Sequence, residues 1–172
     1  MMNINARFAE QAQIVPFVMP IDLNSGANAG DWVSMKNFER LTICVLASAG
    51  TAANDLTMTV SQAVNVSGGS SKALNAITSL AVKQGASLAA IGQYSEVTQA
   101  ADEQYTEATN GESQLLYVTD ILAEDLDVDN GFDCVQVSLN QVGAAKVGCA
   151  FGILWGAKFA GSVDLLPSAI AN

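Results

Sequence analysis

Alternation with a period of two dominates this chain, and helical periodicity is weak. In the segment Arg40 to Ser48, Leu41, Ile43 and Val45 fall on one face and Thr42, Cys44 and Leu46 on the other. Both faces are largely apolar, which predicts a strand lying between two layers. After a small-residue turn (AGTAAN), Leu56, Met58 and Val60 alternate with Thr57, Thr59 and Ser61, the signature of a half-buried strand. This pair is expected to form a hairpin or a sheet-to-sheet connection. Gln114 to Ala123 and Phe132 to Gln141 also read as strands, the second with Val135, Val137 and Leu139 inward.

Val147 to Trp155 is the clearest strand. Val147, Cys149, Phe151, Ile153 and Trp155 share a face, backed by Gly148, Ala150, Gly152 and Leu154. A face nearly free of side chains predicts that something packs close to the backbone there, either the second sheet or a neighbouring subunit. Ile14 to Leu23 is apolar but carries Pro16 and Pro20, so it reads as an edge strand or an extended strap. Ala73 to Gln84 fits either period. Gln99 to Ser113 is polar, acidic and unpatterned, and reads as a long exposed loop. Together these elements predict an all-β protein, a β-sandwich or jelly roll of about seven or eight strands. One such domain is expected over residues 14–160, between a flexible N-terminal arm (1–13) and an extended C-terminal tail (161–172).

Composition narrows what such a domain does. The chain has 172 residues, half of them hydrophobic and only 14% charged. Seven Lys and Arg oppose 17 Asp and Glu, a net charge of -10. The cations are scattered, which argues against nucleic acid and against an anionic membrane surface. The N-terminal sequence lacks the basic end and apolar stretch of a secretory signal, so a chain made as a soluble cytosolic protein is expected. The longest apolar run, Val147 to Ala157, falls short of the ~20 residues of a membrane helix.

There is no histidine, which removes the commonest general base and metal ligand, so no Ser-His-Asp or Cys-His pair can be assembled. Cys44, Cys134 and Cys149 each lie in an apolar run and read as small hydrophobes, although a bridge between two of them is not excluded by spacing. Neither enzymatic activity nor a cofactor is expected.

The acidic run DILAEDLDVDNGFD holds the weak metal candidates Asp125, Asp127 and Asp129 at i, i+2 and i+4. An EF-hand loop uses those offsets but then needs Gly at its sixth position and Glu at its twelfth; here Asn130 and Gln136 stand there. The favoured reading is a solvated strand with Leu126 and Val128 inward, followed by an Asn130-Gly131 turn.

Four blocks, Asp22 to Asn37 (DLNSGANAGDWVSMKN), Ala123 to Val135 (AEDLDVDNGFDCV), Val142 to Ala160 (VGAAKVGCAFGILWGAKFA) and Leu166 to Ile170 (LPSAI), resemble segments of small virion structural proteins of tailed bacteriophages. The resemblance implies a non-enzymatic, multi-copy part of a phage particle. Within that group the expected role is a capsid decoration (cement) protein, bound to the major capsid protein or other virion proteins and self-associating, as a trimer for preference. A tail tube or head–tail joining component is the first alternative, a head fibre or receptor-binding module the second. The expected contacts are Ile14, Val15, Phe17, Val18 and Ile21 of the proline-bearing segment and Leu165, Leu166 and Ile170 of the tail.

Overall fold

A computed structural model describes residues 5–26, 28–158 and 166–170. Among these described residues, eleven strands form two antiparallel sheets. They are β1 (Ala12–Asp22), β2 (Asn28–Ser34), β3 (Arg40–Ala47), β4 (Thr57–Ala63), β5 (Lys72–Ala73), β6 (Ile77–Gly85), β7 (Ser95–Asp102), β8 (Gln104–Thr106), β9 (Gln114–Leu122), β10 (Cys134–Leu139) and β11 (Val147–Trp155). One sheet has the order β1-β11-β3-β9-β6-β7; the other has β2-β10-β4-β5, with β8 also paired to β4.

With β5, β6 and β7 set aside, the remaining eight strands form two four-stranded sheets, β1-β11-β3-β9 and β2-β10-β4-β8. Successive strands change sheet except β4 and β8, which pair, in the manner of a jelly roll. The fold is therefore the all-β sandwich that the alternation predicts. The three further strands form an insertion between β4 and β8 that lengthens the first sheet by β6 and β7.

The core lies between the sheets. Leu41, Ile43 and Val45 of β3 meet Met58 and Val60 of β4 and Val135 and Val137 of β10, all fully buried or nearly so. On β11 the inward face is the small one. A Cβ on Gly152 would stand 2.6 Å from Leu41 and 2.8 Å from Phe17, and one on Gly148 2.7 Å from Leu23. The missing side chains of β11 thus make room for large ones from β1, β3 and the β1–β2 turn.

Three sequence expectations change. Gln99 to Ser113 is not one long loop: β7 and β8 occupy much of it. Their residues are polar because β7 is an edge strand, and Gln99 donates to the carbonyls of Ile77 (3.1 Å) and Gln104 (2.9 Å). The ambiguous stretch from Ala73 is resolved as β5 and β6. Ile77, Leu80 and Val82 are its inward residues, and a register irregularity between Ile77 and Ser79 breaks the period of two, which is why the pattern imitated a helix.

The acidic run is two 3-10 turns, Ala123–Asp125 and Val128–Asn130, rather than a strand. Aspartate and asparagine side chains compete for local backbone groups. The Asp125 carboxylate accepts the Leu122 N–H (2.7 Å), and Asp127 accepts from Asn130 Nδ2 (2.8 Å). Leu126 is buried while Val128 is 56% exposed, so the two do not share a face. Gly131, at φ 80°, closes the second turn in the left-handed conformation.

Candidate interaction surface

The outward faces of the two sheets differ in chemistry. Across the five-stranded sheet, the register aligns Gln136 with Ser61, Ser138 with Thr59, Thr59 with Gln104 and Thr57 with Thr106. These are polar side chains suited to water; Trp32, opposite Gln136, is the aromatic exception, half-buried against Gly68. Across the six-stranded sheet, one row runs Ile14–Ile153–Thr42–Asp120, the next Pro16–Phe151–Cys44–Val118, and the third Cys149–Leu46–Leu116. The large-residue face of β11 therefore points out of the sandwich. Leu46 is 42% exposed, Val147 53% and Ile14 59%. β3 does not lie between two layers of this chain, as its two apolar faces predicted. Only its Leu41, Ile43, Val45 and Ala47 side is in the core between the sheets.

The apolar surface turns round the β1 edge. Met19 (67%) and Ile21 (43%) are exposed there. The five contact candidates of β1 consequently separate. Ile14 is exposed on the outer face and Ile21 at the β1 edge opposite Gly148, whereas Val15, Phe17 and Val18 are core residues and not surface contacts. Register shifts between Pro16 and Val18 and between Val18 and Ile21 bend the strand and turn its side chains in both directions.

At one end of the face the arm folds back. Arg7 and Glu10 bracket a 3-10 turn, Phe8–Glu10, through two side-chain hydrogen bonds of 2.9 and 2.7 Å. Phe8 stands edge-on to Trp155 at 6.1 Å, and Trp155 Nε1 donates to Thr42 Oγ1 (2.9 Å). Leu166 joins Phe8, Ala9, Ala12, Gln13 and Ile14 around a groove of about 340 Å³. Ile170 is 73% exposed, and its neighbour Ala169 is buried where its carbonyl accepts the Ser34 N–H (2.7 Å). Leu165 lies outside the described residues.

No candidate reactive centre is brought together. Asp125, Asp127 and Asp129 are separately engaged or exposed, with Asp127 paired to Lys72. Among the described residues no group of three or more His, Cys, Asp or Glu is placed to hold a metal ion. A polar groove of about 470 Å³ is lined in part by Arg40, Asp120 and Asp125. Its acids are already occupied, Asp120 by Arg40 (3.3 Å) and Thr42, Asp125 by the Leu122 N–H. Burial, with the Asp120 charge behind it, pushes the Cys44 thiol above its ordinary range, and burial does the same to Cys149, so both stay protonated at neutral pH. Cys44 and Cys134 are buried and Cys149 half-buried, all as thiols.

One feature the sequence reading missed is a buried polar knot. Lys146, 2% exposed, donates to the backbone carbonyls of Asn110 (2.5 Å) and Gly111 (3.3 Å) and to Asn110 Oδ1 (3.5 Å). Asn110 in turn bonds both backbone groups of Leu56 (2.6 and 2.9 Å) and donates to the Tyr117 hydroxyl (3.0 Å). The knot joins four segments at one end of the sandwich. Burial lowers the Lys146 pKa, and the charges of Asp55 and Glu112 oppose that. Its signal in the sequence was faint: Lys146 is the one cation between Lys83 and Lys158.

No family model and no curated protein matches the chain. Among solved structures, the SPBc2 prophage-derived protein YomS is similar at 11% identity, over 84% of this chain and 93% of that one, with a TM-score of 0.43. A subunit of the Bacillus endospore appendages, described as disulfide-linked pili, is similar at 13% identity over 91% and 99% (TM-score 0.32). A chain of Israel acute paralysis virus is similar at 10% identity over 91% and 77% (TM-score 0.32). Likeness this distant assigns no function.

Proposed function

We propose that the chain is a non-enzymatic structural protein of a phage particle, and within that class a decoration protein that binds the outer surface of the head and stabilises the shell. The observation that carries this reading is the apolar outer face of the six-stranded sheet. A protein that worked alone in water would solvate it, as the other sheet's outer face is solvated. Here the chain spends its scarce charge elsewhere. Burying apolar surface contributes about 25 cal/mol per Å², so covering such a face against neighbours is a strong driving force for assembly. The resemblance of the four sequence blocks to tailed-phage virion proteins points the same way. In this role no residue turns over a substrate. The side chains act by shape, apolar burial and hydrogen bonding across subunit boundaries.

The test is the copy number and position of the chain in purified particles, by quantitative mass spectrometry and particle imaging. A decoration protein is present in hundreds of copies on the head exterior, and shells stripped of it lose DNA at lower temperature. A single ring of copies at the neck, or stacked rings along the tail, would replace this reading with the joining or tube alternative. The acidic charge of -10 also suits those, since an acidic lumen does not hold DNA.

A further inference from the structure

We infer that the outer face of the six-stranded sheet is where copies of this chain pack on one another, the β1 edge of one copy seated on the face of the next, so that the contacts close into a ring. This goes beyond shell binding and stands without it, because the ring is a property of the free protein.

Size is the first argument. Four strands, β1, β11, β3 and β9, at about 4.8 Å spacing and nine residues at about 3.3 Å rise cover about 600 Å² in projection. That is at the upper limit of the apolar patch an ordinary monomer exposes. The protruding β1 edge extends it toward the ~800 Å² per partner of a stable interface.

Charge is the second. Every copy carries -10, so copies repel wherever their acids face each other. The face offers an approach nearly free of that repulsion. On β1, β11, β3 and β9 its acids are Asp120, already bonded to Arg40 and Thr42, and, at the far end opposite Val147, Asp22, which accepts the N–H groups of Asn24 and Lys146. Glu96 lies off the patch on the β7 edge.

Shape decides the arrangement. The exposed apolar residues are not confined to the flat face but continue over the edge as Met19 and Ile21. Simple strand addition at this edge is opposed by Pro16 and Pro20, which have no N–H to give, and by two register shifts. An edge that cannot pair with another edge, beside a face that needs covering, makes two different surfaces on each copy. Contacts between unlike surfaces generate a ring where the rotation between copies closes and an open filament where it does not. The smallest such ring is three, and an open filament would overturn the closed arrangement.

The test uses the full chain in solution. Native mass spectrometry and sedimentation are expected to give a ring of three or more copies at micromolar concentration. Raising salt should tighten it, because only repulsion is screened. Leu46→Lys on the face and Met19→Lys on the edge should each yield folded monomer, at least tenfold weaker in association. Thr59→Lys, on the outer face of the other sheet, should leave the ring intact. Equal mixing of the two monomeric variants should restore a one-to-one pair, since each retains the surface the other has lost. A monomeric wild type would overturn the inference. So would a face-to-face dimer indifferent to Met19→Lys, or a ring indifferent to Leu46→Lys. Circular dichroism of each variant separates lost association from lost folding. Particle binding, measured separately, reports on decoration.

Discussion

The two sheets of this sandwich present opposite surfaces to the outside. The five-stranded sheet shows Thr57, Thr59, Ser61, Gln136 and Ser138, while the six-stranded sheet shows Leu46, Cys149, Phe151 and Ile153. Their inner faces are alike in being apolar and closely packed. Folding alone accounts for the inner faces and for the polar outer one. It does not account for the apolar outer one, whose burial needs a second molecule. Apolar alternation on both faces of β3 predicts two covering layers; this chain supplies one, over Leu41, Ile43 and Val45, and leaves Leu46 on the other face 42% exposed.

The comparison can be broken most severely at β11, the strand with a small face inward and a large face outward. Gly152→Val should cost about 3 kcal/mol, the upper end of what overpacking of a close-packed core typically costs, because its side chain would meet Leu41, Phe17 and Val15. Chemical denaturation measures it. An enlarged residue tolerated there would mean that the inward face of β11 is not the packed one. Next in size is Lys146→Met, which keeps the stem and removes the ammonium. The carbonyls of Asn110 and Gly111 then lose their shared donor, for a loss of about 2 kcal/mol, read as a lowered midpoint in the same denaturant titration.

A smaller effect is expected in alkali. Burial, reinforced by Glu107, raises the Tyr105 pKa, and burial also raises that of Tyr117. For a group whose folded pKa lies above its unfolded value, stability is complete below the unfolded pKa and is lost as pH rises. Unfolding should therefore set in as pH passes about 10, where exposed tyrosine ionises. Thermal melting across pH 8 to 11 checks this, and Tyr105→Phe should flatten the decline. The smallest effect sharpens the contrast most. Leu46→Thr and Val147→Thr on the apolar outer face should change monomer stability by less than about 0.5 kcal/mol, since neither side chain is in the core. Both should still reduce binding of an apolar dye to the dissociated protein, and substitutions at Thr59 or Ser138 should not.

Much of the frame was legible because a strand with one buried face writes its period into the chain. β3, β4, β9, β10 and β11 were placed within a few residues by alternation alone, and Pro16 and Pro20 marked β1 as an edge. β7 and β8 were not legible. An edge strand of polar residues is held by backbone pairing with a neighbour that lies elsewhere in sequence. The two turns of the acidic run were misread as a strand because local side-chain capping by Asp125 and Asp127 overrides alternation.

What the sequence by itself determined is the class of molecule: all-β, acidic, poor in charge, and without histidine to catalyse or to bind metal. It also determined which residues share a strand face. It could not say which face looks inward, because period-two alternation is symmetric between the two sides of a sheet. Only the tertiary structure decided that. It buried Val15, Phe17 and Val18, which had been read as contacts, turned Phe151 and Ile153 outward, and closed three distant carbonyl oxygens around Lys146. Packing makes that choice because the side carrying Gly148 and Gly152 is the only side of β11 on which Leu23, Phe17 and Leu41 fit.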